Sequence, residues 1–155
     1  MRKFYLAYGS NCNKFQMASR CPYAIIVGEG VIRDYRLVFK GSKTGSYLTI
    51  EKHPNAFVPV LVWSITPSDE EWLDLYEGFP TFYHKEDFSL TIKTNFGKFL
   101  DITGFAYVMD KKCKYGIPSK EYFDACVEGY LHFGFSTDYL LMAKEVSNEN
   151  LSKMQ

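Results

Sequence analysis

The segment Tyr5-Leu6-Ala7-Tyr8-Gly9-Ser10-Asn11 decides how the rest of the chain is interpreted. Aromatic and apolar residues alternate loosely over residues 3–8, which predicts a β-strand, and the glycine and polar residues that follow predict a tight loop. A glycine at a strand end, followed by small polar residues, can point successive backbone N–H groups at one anion. The segment therefore predicts a site for a small anion such as a carboxylate, although an ordinary junction of strand and turn has the same pattern.

Strand patterns dominate the next part of the chain, after a short helix over Lys14–Arg20 that Asn13 is placed to cap and Pro22 ends. Strands are predicted at residues 23–40, 47–51 and 58–65, with Asn55 in a polar turn between the last two and residues 58–63 buried on both faces. Gly28-Glu29-Gly30 predicts a bulge or bend in the first of these strands. It lacks the third glycine and the strand-to-helix context of a dinucleotide-binding loop.

The clearest helix start is Thr66-Pro67-Ser68-Asp69-Glu70-Glu71, which combines a hydroxyl cap, a proline in the first turn and three acids at the positive end of the helix dipole. The apolar face of this helix is predicted to contain Trp72, Leu73 and Tyr76. Gly78 and Pro80 end the helix. Glu77 is therefore left at its C-terminal end, where the dipole opposes a negative charge.

The remaining patterns predict a β-hairpin and two helices. Residues 82–94 and 99–110 alternate around a turn at residues 95–98, and helices are predicted at residues 120–133 and 138–146. The segment from Ser147 onward is polar, and we expect it to be a frayed tail. Together the patterns predict an α+β fold, a small mixed β-barrel of about six or seven strands with helices at its ends, in one domain spanning residues 1–155.

Composition excludes several classes of function. The 155 residues contain 18 Lys and Arg against 18 Asp and Glu, so there is no net charge to attract nucleic acid or an anionic membrane. No apolar stretch approaches the roughly 20 residues of a membrane span, and the apolar run near the N-terminus is too short for a signal peptide. We therefore expect a soluble cytoplasmic protein with reduced cysteines. The four Cys residues form no C-x-x-C pair and the three His residues are scattered, so no metal site and no cofactor are expected.

The order of short motifs resembles that of the gamma-glutamylcyclotransferase-like (AIG2-like) family. The resemblance covers about residues 3–139. It rests on the following motifs: Tyr8-Gly9-Ser10-Asn11, Val58-Pro59-Val60-Leu61-Val62-Trp63, Leu73-Asp74-Leu75-Tyr76-Glu77-Gly78, Phe82-Tyr83, Ala106-Tyr107-Val108, Pro118-Ser119-Lys120-Glu121-Tyr122, Gly129 and Phe135. Two departures are Ser64, where many members have glycine, and the brief loop after Glu77, and both concern the part of the pocket near the leaving group.

The resemblance implies the family's fold and a cofactor-free reaction that converts a gamma-glutamyl compound into 5-oxoproline and a free amine or amino acid. It implies Glu77 as the catalytic acid and base. Backbone N–H groups near Tyr8, Gly9 and Ser10 would bind the substrate carboxylate or the developing oxyanion, with Asn11 bracing the loop. The implied substrate-binding residues are Tyr5, Leu6, Ala7, Tyr8, Gly9, Ser10, Asn11, Tyr83 and Tyr122.

Elementary chemistry is consistent with a single carboxyl group doing this work. In a gamma-glutamyl compound the α-amine and the γ-carbonyl close a five-membered ring, so the protein has only to hold the folded conformer. The base must take a proton from an ammonium group and return it to the departing amine. A helix C-terminus and the aromatic neighbours of Glu77 both predict a carboxyl group with increased proton affinity.

Other interpretations remain open at this stage. The same loop and cavity could serve a non-enzymatic module that binds a small carboxylate or a peptide end. Cys12 could be a nucleophile, although no base is placed beside it by the sequence. His84 could reach the rim of the pocket, whereas Glu70 and Glu71 are most simply partners of the helix dipole. The leaving group and the oligomeric state are not determined.

Overall fold

The computed structural model describes residues 1–42 and 45–153, which form six strands and four α-helices. The strands are β1 (Lys3–Ala7), β2 (Ile25–Ser42), β3 (Gly45–Ile65), β4 (Tyr83–Thr94), β5 (Phe99–Met109) and β6 (Lys114–Tyr115). The helices are α1 (Lys14–Arg20), α2 (Pro67–Glu77), α3 (Lys120–Phe133) and α4 (Asp138–Lys153), and a single 3₁₀ turn spans Ser10–Cys12. In the described part of the chain, no helix combines the length and the apolar character needed to cross a membrane.

Five of the strands close into a barrel. Their order is β3-β1-β5-β4-β2, and β2 pairs back onto β3, so the ring is complete. The pairing of β1 with β5 is parallel, with Tyr5 opposite Phe105, and the other pairings are antiparallel. The two-residue strand β6 extends the sheet beside β2. The predicted α+β fold, a small mixed barrel with helices, is thus confirmed.

The barrel closes at the glycines where the sequence predicted a bend. The register of β2 shifts between Ile26 and Gly28, and Gly28 then pairs with Thr94 of β4 while still paired with β3. A Cβ atom at Gly28 would lie 2.2 Å from the backbone oxygen of Lys93. Only glycine permits this approach, so the bend is where β2 passes from one neighbour to two.

The polar turn predicted around Asn55 is wrong, because β3 continues through this position. Between the pairs Arg33–Phe57 and Tyr35–Lys52 the strands are out of register, and the extra residues of β3 form a bulge. Asn55 and Asp34 both have positive φ, at 65° and 62°. The Asn55 N–H donates to Asp34 Oδ1 at 3.0 Å, so the polar residues form the bulge without ending the strand.

Helix α2 begins and ends where the sequence indicates, but its apolar face differs. Thr66 and Asp69 form a reciprocal capping box, and Gly78 ends the helix in the left-handed conformation at φ 66°. Leu73 is fully buried, whereas Trp72 and Tyr76 are 59% and 49% exposed. The predicted three-residue buried face is therefore wrong for both aromatics, because only a narrow stripe of α2 contacts the barrel.

The frayed tail expected from Ser147 is instead helical as far as Lys153. Ser147 is buried; its hydroxyl donates to the Ala143 carbonyl and accepts from the Phe39 N–H of β2, at 2.6 and 2.7 Å. One buried hydroxyl thus ties α4 to the barrel, and a polar residue in this position is part of the packing. Residues 154–155 of the expected tail lie outside the described residues.

Candidate active site

The predicted loop lies at one end of the barrel, directly after β1. Gly9 has φ −116° and ψ −136°, and Ser10–Cys12 form the 3₁₀ turn. A Cβ atom on Gly9 would lie 3.1 Å from the Tyr122 hydroxyl, and one on Gly129 of α3 would lie 2.7 Å from the backbone carbon of Cys12. Both glycines allow α3 to pack closely on the loop at the mouth of the barrel.

Asn11 links this loop to Glu77. It is buried, and its backbone oxygen accepts a hydrogen bond of 3.0 Å from the Trp63 indole. The amide Nδ2 donates to the Tyr5 hydroxyl at 2.8 Å and lies 3.4 Å from Glu77 Oε1, a long hydrogen bond. The loop and the end of α2, which are separated by more than sixty residues of sequence, therefore meet at this amide.

Glu77 occupies the last turn of α2, just before the left-handed Gly78. The residue as a whole is half-buried, with its carboxyl group among the side chains of the cavity. Burial raises the pKa of this carboxyl from 4.5 to about 7, and the positive charge of Arg20 partly opposes the increase. Near neutral pH, Glu77 can therefore both accept and donate a proton.

Tyrosines surround the carboxyl group on several sides. Those lining the cavity are Tyr5, Tyr8, Tyr83, Tyr107 and Tyr122. Burial raises the pKa of each of them, and the nearby charge of Glu77 adds to the effect. Tyr83 donates to the Leu48 carbonyl at 2.8 Å, and the Tyr122 hydroxyl accepts from the Leu48 N–H at 3.1 Å. The rings thus remain neutral and form a fixed polar wall.

The structure brings nearly all the residues expected from the sequence into one cavity. Its lining consists of Tyr5, Leu6, Tyr8, Gly9, Ser10, Asn11, Leu48, Glu77, Tyr83, Tyr107 and Tyr122. The free space between them, counted out to open solvent, is about 310 Å³. Ala7 is the exception to the expected binding set, because it is absent from this lining and its carbonyl accepts from the Cys12 thiol.

Two lining residues, Leu48 and Tyr107, had no site role in the sequence analysis. Tyr107 lies in the Ala106-Tyr107-Val108 motif, so the motif was visible in the sequence, but the side to which the tyrosine ring points was not. Its hydroxyl donates to Asp74 Oδ1 of α2 at 2.6 Å. Leu48 belongs to β3, where strand alternation alone does not tell which residues face the mouth of the barrel.

The other candidate residues have different surroundings. His84 is absent from the cavity lining, and its Nε2 lies 3.0 Å from Glu86 Oε2. Cys12 is buried, donates to the Ala7 carbonyl at 3.3 Å, and has a pKa raised by burial, which disfavours the thiolate that a nucleophile needs. Over residues 1–42 and 45–153, no group of three or more His, Cys, Asp or Glu side chains is arranged to hold a metal ion.

Comparisons with solved structures agree with the fold. A protein named gamma-glutamyl cyclotransferase superposes with a TM-score of 0.76 at 26% identity, over 93% of this chain and 87% of that one. An uncharacterised human protein superposes with a TM-score of 0.75 at 27% identity, over 92% and 86% of the two chains. A yeast gamma-glutamyl cyclotransferase specific to glutathione, at 14% identity and a TM-score of 0.60 over 96% of both chains, shares the fold.

Sequence comparison identifies the family. No curated protein sequence matches this chain significantly. The family model described as "Gamma-glutamyl cyclotransferase, AIG2-like" matches residues 5–124, which include the loop, Glu77 and every residue of the cavity lining. With most of its length and its whole cavity inside that match, the chain belongs to the AIG2-like gamma-glutamyl cyclotransferase family.

Proposed function

We propose that this protein is a cofactor-independent cyclotransferase that converts a gamma-glutamyl compound into 5-oxoproline and a free amino acid or amine. The observation that carries the proposal is the Glu77 carboxyl group, which lies in the cavity with a pKa of about 7, 3.4 Å from the Asn11 amide of the loop. A group with this proton affinity is suited to move a proton in both directions at neutral pH.

The reaction needs proton transfers in both directions at one carboxyl group, which moves two protons from the attacking nitrogen to the departing nitrogen. Ionised Glu77 accepts a proton from the substrate α-ammonium group. The free amine then attacks the γ-carbonyl carbon, which forms the ring C–N bond and a tetrahedral oxyanion. Attack leaves a positive charge on the ring nitrogen. Protonated Glu77 returns its proton to the departing nitrogen, and the original C–N bond breaks as the oxyanion becomes the carbonyl of the ring. The ionised carboxylate then takes the extra proton from the ring nitrogen and passes it to the released amine, so the products are a neutral lactam N–H in 5-oxoproline and an ammonium group. No other reactant is required.

We assign the binding of charge to the loop. Backbone N–H groups around Tyr8, Gly9 and Ser10 bind the α-carboxylate or the oxyanion, in the manner of other sites built from successive N–H groups. The two glycine contacts with α3 support this assignment, since they let the helix pack directly against the loop and so position its backbone. Tyr5, Leu6, Tyr83 and Tyr122 form the walls around the glutamyl carbon chain.

The two product classes within the proposal differ only in the leaving amine. A gamma-glutamyl dipeptide releases an amino acid, which carries a carboxylate, and a gamma-glutamylamine releases a group without one. We assign the leaving group to the side of the cavity near Tyr83, which follows the brief loop after Glu77.

The test is release of 5-oxoproline from a panel of gamma-glutamyl dipeptides, gamma-glutamylamines and glutathione. We expect turnover on at least one class and a loss of roughly 10²- to 10⁴-fold in kcat for Glu77→Gln. Glu71→Gln is the matched control, since Glu71 is an exposed acid on the same helix. Full activity of Glu77→Gln would refute the catalytic assignment.

A wild-type protein that is thermally stabilised by these compounds but turns none of them over would contradict the proposed reaction. That result would favour a binding module for small carboxylates built on the same cavity. The Glu77→Gln protein would then be expected to keep the stabilisation, because the loop supplies the anion site.

A further inference from the structure

Arg20 is a charged side chain beside the candidate site, and the sequence analysis left it without a role. It ends α1, and its Nη1 donates to Asn11 Oδ1 at 2.5 Å and to the Ser10 hydroxyl at 3.3 Å. Its Nη2 donates to Gln16 Oε1 at 2.7 Å and to the Tyr76 hydroxyl at 2.5 Å. Every one of these partners lies on the loop, on α1 itself or beside Glu77.

The contact with Asn11 determines which way the buried amide points. With Oδ1 on the guanidinium, the two N–H bonds of Nδ2 face the Tyr5 hydroxyl and Glu77 Oε1. In the opposite orientation, the amide oxygen would face a carboxylate and the amide N–H groups would face a cation. The charge of Arg20 therefore selects the orientation that donates a hydrogen bond to Glu77.

A second contact ties Arg20 to the helix that carries Glu77. The guanidinium carbon lies 3.7 Å from the centre of the Tyr76 ring, a stacking distance for a cation on an aromatic face. Tyr76 is the residue immediately before Glu77 in the last turn of α2. Arg20 thus contacts both the loop and the end of α2. A lysine could not replace it, because a single ammonium group cannot stack on the Tyr76 ring and donate from two separate nitrogens as the planar guanidinium does.

The groups facing Glu77 differ in charge. Buried tyrosines face it from β1, the loop, β4, β5 and α3, namely Tyr5, Tyr8, Tyr83, Tyr107 and Tyr122. All of them are neutral near pH 7. Within the described residues, Arg20 from α1 is the positive charge that acts against the burial of Glu77.

We propose that Arg20 is a positioning residue for Glu77: it orients the Asn11 amide toward the carboxyl group, holds the end of α2 through Tyr76, and supplies the positive charge that favours the carboxylate. This inference rests on the proposed function for its effect on turnover. Its effect on the proton equilibrium of Glu77 is independent of any reaction.

The experiment follows the titration of Glu77 by carboxyl ¹³C NMR, with the signal assigned by its absence in Glu77→Gln. For Arg20→Met, which keeps an unbranched apolar side chain beside Tyr76, we expect the midpoint to rise by on the order of one pH unit. Arg20→Lys keeps the charge, so its midpoint should remain closer to the wild-type value. Lys14→Gln removes an exposed cation from the same helix and should leave the midpoint unchanged.

The turnover measurement separates positioning from mere stability. In kcat/KM profiles, Arg20→Met should show the same upward displacement of the midpoint, and Arg20→Lys should show a lower plateau at an almost unchanged midpoint. If Arg20→Met does not fold, Arg20→Gln removes the same charge and keeps an amide donor for Asn11. A folded neutral variant with the wild-type titration midpoint would overturn the proposal. Absence of turnover in the wild-type protein would refute the proposed function but would leave the titration test intact.

Discussion

The two ends of α2 each carry a glutamate, and the two carboxyl groups have opposite properties. Glu70, in the first turn, lies 3.0 Å from Lys3 Nζ and 2.6 Å from Lys85 Nζ. Burial alone would raise its pKa, but hydrogen bonds from Lys85 and Lys3 outweigh burial and lower it. Burial raises the pKa of Glu77, in the last turn, to about 7. The positive charge of Arg20 opposes this increase, but Arg20 bonds to Asn11, and it is Asn11 that contacts the Glu77 carboxyl group.

The comparison shows what lowers the pKa of one carboxyl group and raises that of another on the same helix. Both residues are partly exposed as a whole, but the carboxyl group of Glu77 is much more deeply buried than that of Glu70. A second difference is direct contact with a cation, which compensates the charge of Glu70 and is missing at Glu77 among the described ion pairs. The helix dipole acts in the same sense, since it favours an anion at the N-terminal end and opposes one at the C-terminal end.

The largest expected effect is on the pH dependence of turnover. If ionised Glu77 is the base, kcat/KM should rise tenfold per pH unit below a midpoint near 7, on the order of 100-fold between pH 5 and pH 8. Glu70→Gln should keep this profile, because its contacts lie with Lys3 and Lys85. A wild-type profile that is flat between pH 5 and pH 8 would contradict the role of Glu77 as a base with a raised pKa.

The next effect is on stability, with opposite signs at the two ends of the helix. Between pH 4.5 and about 7, native Glu77 holds a proton that the unfolded chain has released, so the wild-type protein loses stability as the pH rises. Relative to wild type, Glu77→Gln should therefore gain about 3 kcal/mol in free energy of unfolding between pH 4 and pH 8. Urea unfolding at both pH values measures this difference.

Glu70→Gln should behave in the reverse way. Its folded pKa is lowered, so its stabilisation is present above the pKa of the unfolded chain and is lost as the pH falls through the folded pKa. We expect this variant to lose about 1 kcal/mol or less near neutral pH, because the pair is partly exposed, and to match wild type in acid. Equal pH trends for the two variants would contradict the assignment of their environments.

The caps of α2 provide a smaller contrast. Thr66→Ala removes the capping box and Gly78→Ala places a side chain at φ 66°, and each should cost about 1 kcal/mol in the free energy of unfolding. Thr66→Ala should keep full turnover, whereas Gly78→Ala should lower kcat severalfold, because Gly78 directly follows Glu77. Equal kcat values for the two variants would show that the end of α2 tolerates displacement.

The smallest expected effect is that of salt. The ammonium group of Lys3 is well exposed, so 0.5 M NaCl should reduce the stabilisation lost in Glu70→Gln. The pH-dependent difference between Glu77→Gln and wild type should change little, because burial causes it. Urea denaturation at low and high salt measures the free energy of unfolding of wild type, Glu70→Gln and Glu77→Gln. A similar decrease for both would mean that solvent reaches the Glu77 carboxyl.

Local patterns predicted most of the secondary structure because they depend on neighbours in sequence. The sequence showed the cap of α2 at Thr66, its end at Gly78 and the bend at Gly28, because each depends on a residue type that is favoured at that kind of position. The errors lie where a distant partner decides. Asn55 was interpreted as a turn, but pairing with β2 carries the strand through a bulge. Ser147 was interpreted as part of a tail, but Phe39 provides a buried partner for its hydroxyl.

The sequence by itself determined the barrel, the family resemblance, the glycine loop and the acid at the end of α2, because each depends on short motifs in a definite order. Only the tertiary structure decided that Leu48 and Tyr107 line the cavity, that Trp72 and Tyr76 remain exposed, and that Arg20 reaches Asn11. The proton affinity of Glu77 belongs to this second group. It depends on which side chains exclude water from the carboxyl group and on where the nearest cation stands, and both are set by contacts between residues far apart in the chain.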